Sequence, residues 1–397
     1  MLVAACQMAS ETRRARGRAC MSTLLRRPAT YLALPMLLSC ALTWLTYALP
    51  HAYLKGIVLL ALAAAATFAL DALLRTQVPS VERFRHYRYP GTRDAFLAMG
   101  LAAAVTMFCI ADVVLFPIPL FSDPTSYATL SPLRAHVRHI SNMCWILPPI
   151  ALLCVRHRGL RAAMLTLGLV FPIVVIDRNR IFAGLFSFVL VMLLRRDPAR
   201  RLPWKTIGLL VMAGGGVFSI LGALRSGSLA TVALPFSAFY RAMPQGVQWL
   251  LLYISAGPYN FGAMLAKGYV NASFLVNQLV PFTGSIATAG TSIPLDAPNI
   301  NVGTEFFPFL MAWGAAGALL AMLALYAGLV WSVRRLNGSL SIFHVLIFLR
   351  IAYACLMSPF APQAFTWTNF GFIALCLVLH ACTVLLPNRL SPHPSAA

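Results

Sequence analysis

Apolar runs recur along this chain, and the short segments between them are dense in arginine. About 20 apolar residues in a helix rise across the ~30 Å hydrocarbon core of a bilayer. Inside lipid, only helices or closed barrels satisfy their own backbone. The pattern therefore dictates an all-α, polytopic integral membrane protein. Its runs fall at 29–49, 53–74, 95–116, 139–155, 162–176, 181–194, 206–224, 306–332, 339–357 and 368–386, which gives ten expected transmembrane helices. Composition agrees, since 10% of the 397 residues are charged, against about 25% in soluble domains.

The basic residues sort by side. Of 31 Lys and Arg, 22 lie on alternate connections: six in the first 28 residues, five in 75–93, three in 156–161, five in 195–205, then Arg334, Arg335 and Arg389. The positive-inside rule makes that side cytoplasmic and predicts that both termini lie there. The expected divisions are a basic tail at 1–28, spans over 29–224, a large external loop at 225–305, spans over 306–386 and a second tail at 387–397. No cleavable signal is legible in the first tail, and Met21 offers an alternative start. Nucleic-acid binding needs basic residues gathered on one face, so the expected partner is the bilayer and not nucleic acid. The nine cysteines lie mostly inside apolar runs, with no CxxC pair or Cys/His ligand spacing. Neither disulfides nor a structural metal is expected, and no cofactor.

Two outward segments stand out. FPIPLFSDPTSYATLSPLRAHVRHI carries Asp123, Arg134 and Arg138 and reads as a Pro/Ser-rich loop. The second, 225–305, is long enough to be functional or to form a small subdomain. It contains VQWLLLYISAGPYNFGAML and ASFLVNQLVPF; either could enter the membrane, and a full crossing would invert everything after it.

The sharpest local feature is IDRNRIFAGLFSFVLVMLLRR, 176–196. Arg195-Arg196 is a membrane-edge anchor. Arg178 and Arg180 are harder to place, because the apolar residues 181–194 rise only about 21 Å. Two short spans joined by a tight outward turn fit the charge pattern best, and they set Arg180 below the outer surface. A guanidinium there needs an anion or a wet cavity. Asp177 can neutralise one of the two arginines. An interfacial anchor pair is the bland reading; the functional one is a site for an anion delivered from the membrane plane, which the arginine fork suits.

Arg134, Arg138, Arg225, Arg241, Lys267 and Lys55 also face outward, with Asp123, Asp296 and Glu305 as carboxylates. Arg241 lies between Tyr240 and a Pro244–Gly246 turn, which makes it a candidate for stabilising a departing phosphate. Arg350 sits within SIFHVLIFLRIAYAC with no charged neighbour in its own helix. Substrate contact and a structural pair with a carboxylate on another helix are both open for it.

Four stretches resemble bacterial oligosaccharide repeat-unit polymerases, the O-antigen polymerase family. NRIFAGLFSFVLVMLL is similar to that family's Asn-Arg helix start. YISAGPYNF, which holds Tyr253 and Asn260, resembles its aromatic-Gly-Pro-Asn segment. NVGTEFFPFLMAWGAAGALL resembles its Asn-x-x-Thr-x-x-x-Pro-aromatic stretch before a Gly-x-x-Gly helix, and FPIPLFS matches an element after an early span. They cover about 110–330. The chain departs where many relatives carry Asp before the glycine of that last helix; here the residues are Trp313-Gly314, and no role for that acid transfers.

The resemblance implies a GT-C-like polymerase/ligase architecture in the bacterial inner membrane with one large periplasmic loop. It implies metal-independent glycosyl transfer that joins undecaprenyl-diphosphate-linked repeat units into O-antigen or a related surface polysaccharide, with a chain-length regulator as a further partner. Arg178, Arg180, Arg134, Arg138, Tyr253, Asn260 and Arg350 are the expected substrate contacts, with Arg241 and Glu305 catalytic. Glu305 is the expected base on the acceptor hydroxyl because it stands at a rigid helix entrance; its bland alternative is helix-terminus charge complementarity. Two rivals stay open. An O-antigen ligase shares fold and donor but places a functional His in its large loop, where 225–305 has none. A lipid-linked oligosaccharide flippase or other transporter would favour paired repeats and short loops.

Overall fold

The computed structural model describes residues 26–385, except 80, 88, 123–130, 197–204, 206–207, 210–211, 217–233, 282–292 and 299. Asp123, Arg225 and most of the expected span at 206–224 lie outside the described residues. Among the described residues every element is helical. The helices are α1 Pro28–Thr46, α2 His51–Leu74, α3 Val81–His86, α4 Arg93–Leu115, and α5 Pro132–Ser141, which runs through a 3-10 turn (Asn142–Ile146) into α6 Leu147–Cys154. They continue with α7 Arg158–Val174, α8 Arg178–Leu194, α9 Ala238–Arg241, α10 Gln245–Lys267, α11 Ser273–Leu279, α12 Phe307–Gly338, α13 Ile342–Met357 and α14 Trp367–Leu385.

Among the described residues, six stretches are long and apolar enough to cross a membrane: α1, α2, α4, α5 to α6, α12 and α14. This is a polytopic helical membrane protein. Its outer surface fits that solvent, with Leu62, Leu73, Phe96, Val114, Val378 and Leu385 all exposed. Three of the ten expected spans are shorter helices. α7 and α8 have 17 residues each, a rise of about 25 Å. α13 has 16 residues and is apolar apart from His344 and Arg350. It is buried among α12, α1, α14, α4 and α8, the place for a helix with no polar stripe.

The arginine-rich connections meet at one end of the bundle. Arg26 donates to Val78 O, Arg83 to Asn337 O, Arg93 to Thr383 O, Arg156 to Pro90 O and Arg195 to Leu152 O. Several of these carbonyls end helices, so the cations satisfy acceptors the helix leaves open and complement its negative pole.

The 225–305 segment contains the 23-residue α10, formed by the apolar stretch that the sequence left open as a membrane-entering segment. Ser39 Oγ donates to Ile254 O, and Thr43 Oγ1 donates to Ser255 O at 3.0 Å, so α10 packs on α1 near the α1–α2 turn. A Cβ on Gly56 of α2 would lie 2.6 Å from Gly262 Cα, so backbone meets backbone there and larger residues cannot enter. Around this contact Tyr47, Phe236, Tyr240 and Tyr259 stack into a small aromatic core of their own.

The glycine-rich helix is also broken. Trp313 has φ −134° and Gly314 has φ +67° with ψ −161°. That geometry belongs to glycine. The buried first part, Phe307 to Met311, is thereby set off from the long remainder of α12.

Candidate functional site

The short α7–α8 pair turns within three residues, and the turn is strained. Ile176 adopts φ +55°, an unusual conformation for a β-branched residue that costs about 1–3 kcal/mol. It presents Asp177 as the N-cap of α8, with Oδ1 accepting from Arg180 N at 3.2 Å. The other carboxylate oxygen stands 2.8 Å from Arg180 Nε.

Arg180 lines a cavity of about 310 Å³ between α5 and its 3-10 extension, α8, α13 and the start of α14. Arg350, Asp177, Asn179, Gln363 and Trp367 share that lining. Two arginines 170 positions apart thus face one space. Arg180 is only 4% exposed, and its Nη1 has no hydrogen-bond partner among the described residues. Arg350 is aimed by Asn369 Oδ1 (2.9 Å) and by the Gln363 carbonyl. It lines the cavity, and its hydrogen bonds go to neutral oxygens and not to the carboxylate on another helix that the structural reading expects. Asn179 is fixed between Tyr353, whose hydroxyl donates to its Oδ1 at 2.6 Å, and Gln363 Oε1 at 3.0 Å.

Arg134 and Arg138 are not on a loop. Ser131 caps α5 and Pro132 opens it, and the helix carries both arginines inward. Their partner is Asp112 of α4, fully buried, at 3.1 Å from Arg134 Nε and 3.3 Å from Arg138 Nε. Ser141 Oγ donates to the same carboxylate. Arg138 also lies within the electrostatic reach of Arg180 and Asp177, which joins the two groups. Arg178 lies over the Tyr253 ring at 4.9 Å. Arg134, Arg138, Arg178, Arg180 and Arg350 stand against Asp112, Asp177 and Glu305, an excess of two positive charges in a largely buried region.

Glu305 is completely buried and is not part of the cavity wall. Its carboxylate accepts from the backbone N–H of Gln363, of Ala364 (2.9 Å) and of Phe365 (3.1 Å). Its own N–H donates to Ser358 O at 2.7 Å. Glu305 therefore clamps the α13–α14 connection that supplies Gln363 and aims Arg350. Burial pushes its carboxyl up to about 7, against the pull of the three N–H donors and Arg350.

The remaining expected residues lie elsewhere. Asn260 donates to Ile300 O and Val302 O, which ties the chain ahead of Glu305 to α10. Arg241 is exposed at the end of α9 beside the aromatic core and does not line the cavity. Asp296 binds Lys267 Nζ (2.7 Å), Tyr259 OH (2.7 Å) and Tyr53 OH (3.0 Å), a staple across α2 and α10. Lys55 is exposed.

Sequence reasoning missed Asp112, Asn179 as an individual contact, Gln363, Asn369 and Trp367. Asp112 had a signal. It is an acid inside FCIADVVLF, and the rule that flagged Arg350 flags it equally. The others follow only from how α13 and α14 are packed. No family model matches this chain, and neither do the curated proteins or the solved structures.

Proposed function

We propose that this chain transfers glycosyl groups between lipid-linked oligosaccharides, with the diphosphate of a polyprenyl donor held in the arginine cavity. The observation that carries the reading is the convergence of Arg180 and Arg350 on one cavity at the start of the short helix α8. A diphosphate matches the local excess of positive charge, and a planar guanidinium can grip its oxygens bidentately. Trp367, which meets His139 edge-on at 5.1 Å, offers an aromatic face to a sugar ring.

In this reading the acceptor hydroxyl oxygen bonds to the donor's anomeric carbon, and the bond from that carbon to the phosphate oxygen breaks. Negative charge then collects on the leaving diphosphate, where Arg180 and Arg350 stabilise it. The hydroxyl proton goes to a carboxylate. Asp177 is the one in the cavity wall, whereas Glu305 acts as a positioning residue that holds the Gln363 connection. The polymerase assignment, the bacterial inner membrane and the external face of the reaction belong to this proposal and draw on the sequence resemblance.

The test is a cell that makes a repeat-unit polysaccharide solely through this chain. Arg180→Ala and Arg350→Ala should each abolish the polymer ladder at normal protein abundance, and Lys should restore little of it. Single repeat units should then accumulate on the outer leaflet. Full ladders from both Ala variants sink the proposal. Accumulation on the inner leaflet instead identifies a flippase, and a polymer that forms but never joins its final acceptor identifies a ligase.

A further inference from the structure

At the opposite end of α12 a second cavity, of about 350 Å³, is lined by Trp331, Arg334, Arg335, Ser339, His344 and His380. The bland account of Arg334 and Arg335 is that they anchor the membrane edge and complement the helix C-terminus. That account leaves the histidines unexplained. His344 is 4% exposed; its Nδ1 faces Ser339 O at 3.2 Å, while its buried Nε2 has no hydrogen-bond partner among the described residues. The His380 ring lies 4.3 Å from it, held by Ser341 Oγ at 3.1 Å. Buried polar nitrogens are nearly always satisfied, so an orphan in a cavity wall calls for a ligand or a water.

The charge around it points to an anion. Arg334 and Arg335 are in the wall, Arg83 and Arg93 are tethered at the same end, and Arg335 flanks the Trp331 ring at 5.8 Å. The neighbouring acid, Asp94, is already engaged: its Oδ2 accepts the Ile342 N–H at the start of α13 (3.2 Å). Basic clefts between membrane helices near the interface recognise phosphate headgroups, and the cavity is large enough for one.

We propose that this cavity is a second anion site, separate from the Arg180 cavity, which takes a singly protonated phosphate group: Arg334 and Arg335 grip its oxygens, and its P–OH donates to His344 Nε2, the acceptor left once Nδ1–H donates to Ser339 O. Nothing in the glycosyl-transfer reading is needed for it. The phosphate can belong to a lipid headgroup or to a free ion, and one experiment separates these sources. Full-length protein carrying Arg180→Gln, which disables the first cavity, is placed in phosphatidylcholine nanodiscs. Its thermal unfolding is followed while phosphatidic acid is added to the disc or inorganic phosphate to the buffer.

A stabilisation that saturates with phosphatidic acid alone identifies a lipid-headgroup site; one that saturates with both identifies a phosphate site open to solution. In either case Arg334→Gln/Arg335→Gln, and separately His344→Asn, should weaken half-saturation at least tenfold. Arg335→Lys, which keeps the charge and the fold, should weaken it less. No stabilisation by either probe, or equal stabilisation in all variants, overturns the proposal.

Discussion

Two groups of buried arginines stand side by side, and they are satisfied in opposite ways. Arg134 and Arg138 share Asp112, and Ser141 completes the carboxylate. Arg180 and Arg350 border open space; one is held by an N-cap carboxylate and the other by neutral oxygens. The first group closes on a shared carboxylate inside protein. The second borders the cavity, where Arg180 Nη1 has no hydrogen-bond partner among the described residues. Burial alone does not separate them, since Arg134, Arg138 and Arg180 are all under a tenth exposed. What separates them is whether the wall beyond the guanidinium is protein or cavity.

The largest effect should come from breaking the first group. Asp112→Asn leaves two guanidiniums without their shared anion, which should cost about 3–5 kcal/mol. Loss of folded protein from the membrane, or a sharply lower thermal midpoint, would show it. The triple change Asp112→Leu/Arg134→Leu/Arg138→Leu should recover most of that stability, because apolar replacement of a whole buried ion cluster is often neutral. A triple variant as unstable as Asp112→Asn would place Arg134 and Arg138 in the second group after all.

Glu305→Gln comes next. The amide offers one acceptor oxygen where the carboxylate has two, so one of three buried N–H groups loses its partner, at about 1–3 kcal/mol. Polymer formation should fall in step with stability. Total loss of activity at unchanged thermal midpoint would instead make Glu305 a group that meets substrate.

Arg180→Gln should sharpen the contrast from the other side. Losing the pair leaves Asp177 partly solvated and still capping α8, and it removes one of the excess positive charges, so stability should fall by no more than about 1 kcal/mol. Retention of diphosphate-bearing lipid by the purified protein should nevertheless fall tenfold or more. A drop in stability like that of Asp112→Asn would erase the distinction between the groups.

The smallest effect is expected at Asp296. Burial raises its carboxyl, but the hydrogen bonds from Lys267, Tyr259 and Tyr53 outweigh it and hold the group below the usual range. A depressed folded value contributes stability above the unfolded pKa of about 3.9, and that contribution is lost as pH falls through the folded value. The pair with Lys267 is partly exposed, so screening limits its share to about 1 kcal/mol or less. Thermal midpoints of Asp296→Asn and the parent should differ slightly at pH 7 and converge in acid.

How much was legible depends on distance along the chain. The tight turn ahead of α8 was readable because Asp177, Arg178 and Arg180 interrupt apolar sequence within four residues. The gathering of arginines at one end follows the same way, from alternation alone. The α5 helix reads as loop in sequence because Pro and Ser punctuate it, whereas Ser131 and Pro132 form a cap and a first turn. α10 is ambiguous in sequence because Gly257-Pro258 interrupts its apolar stretch and Gln248, Ser255 and Asn260 dilute it.

By itself, the sequence determined the solvent, the helical class and most helix positions, and it singled out both cavity arginines, Arg180 and Arg350. Each of these rests on hydropathy or charge within about twenty residues, the scale on which a helix meets lipid. Tertiary structure alone decided which distant polar groups meet. Asp112 with Arg134, Arg350 with Asn369, and Glu305 with the Gln363 connection are side-chain contacts between different elements. A guanidinium's fate depends on its nearest oxygen, and that oxygen is chosen by packing, not by periodicity.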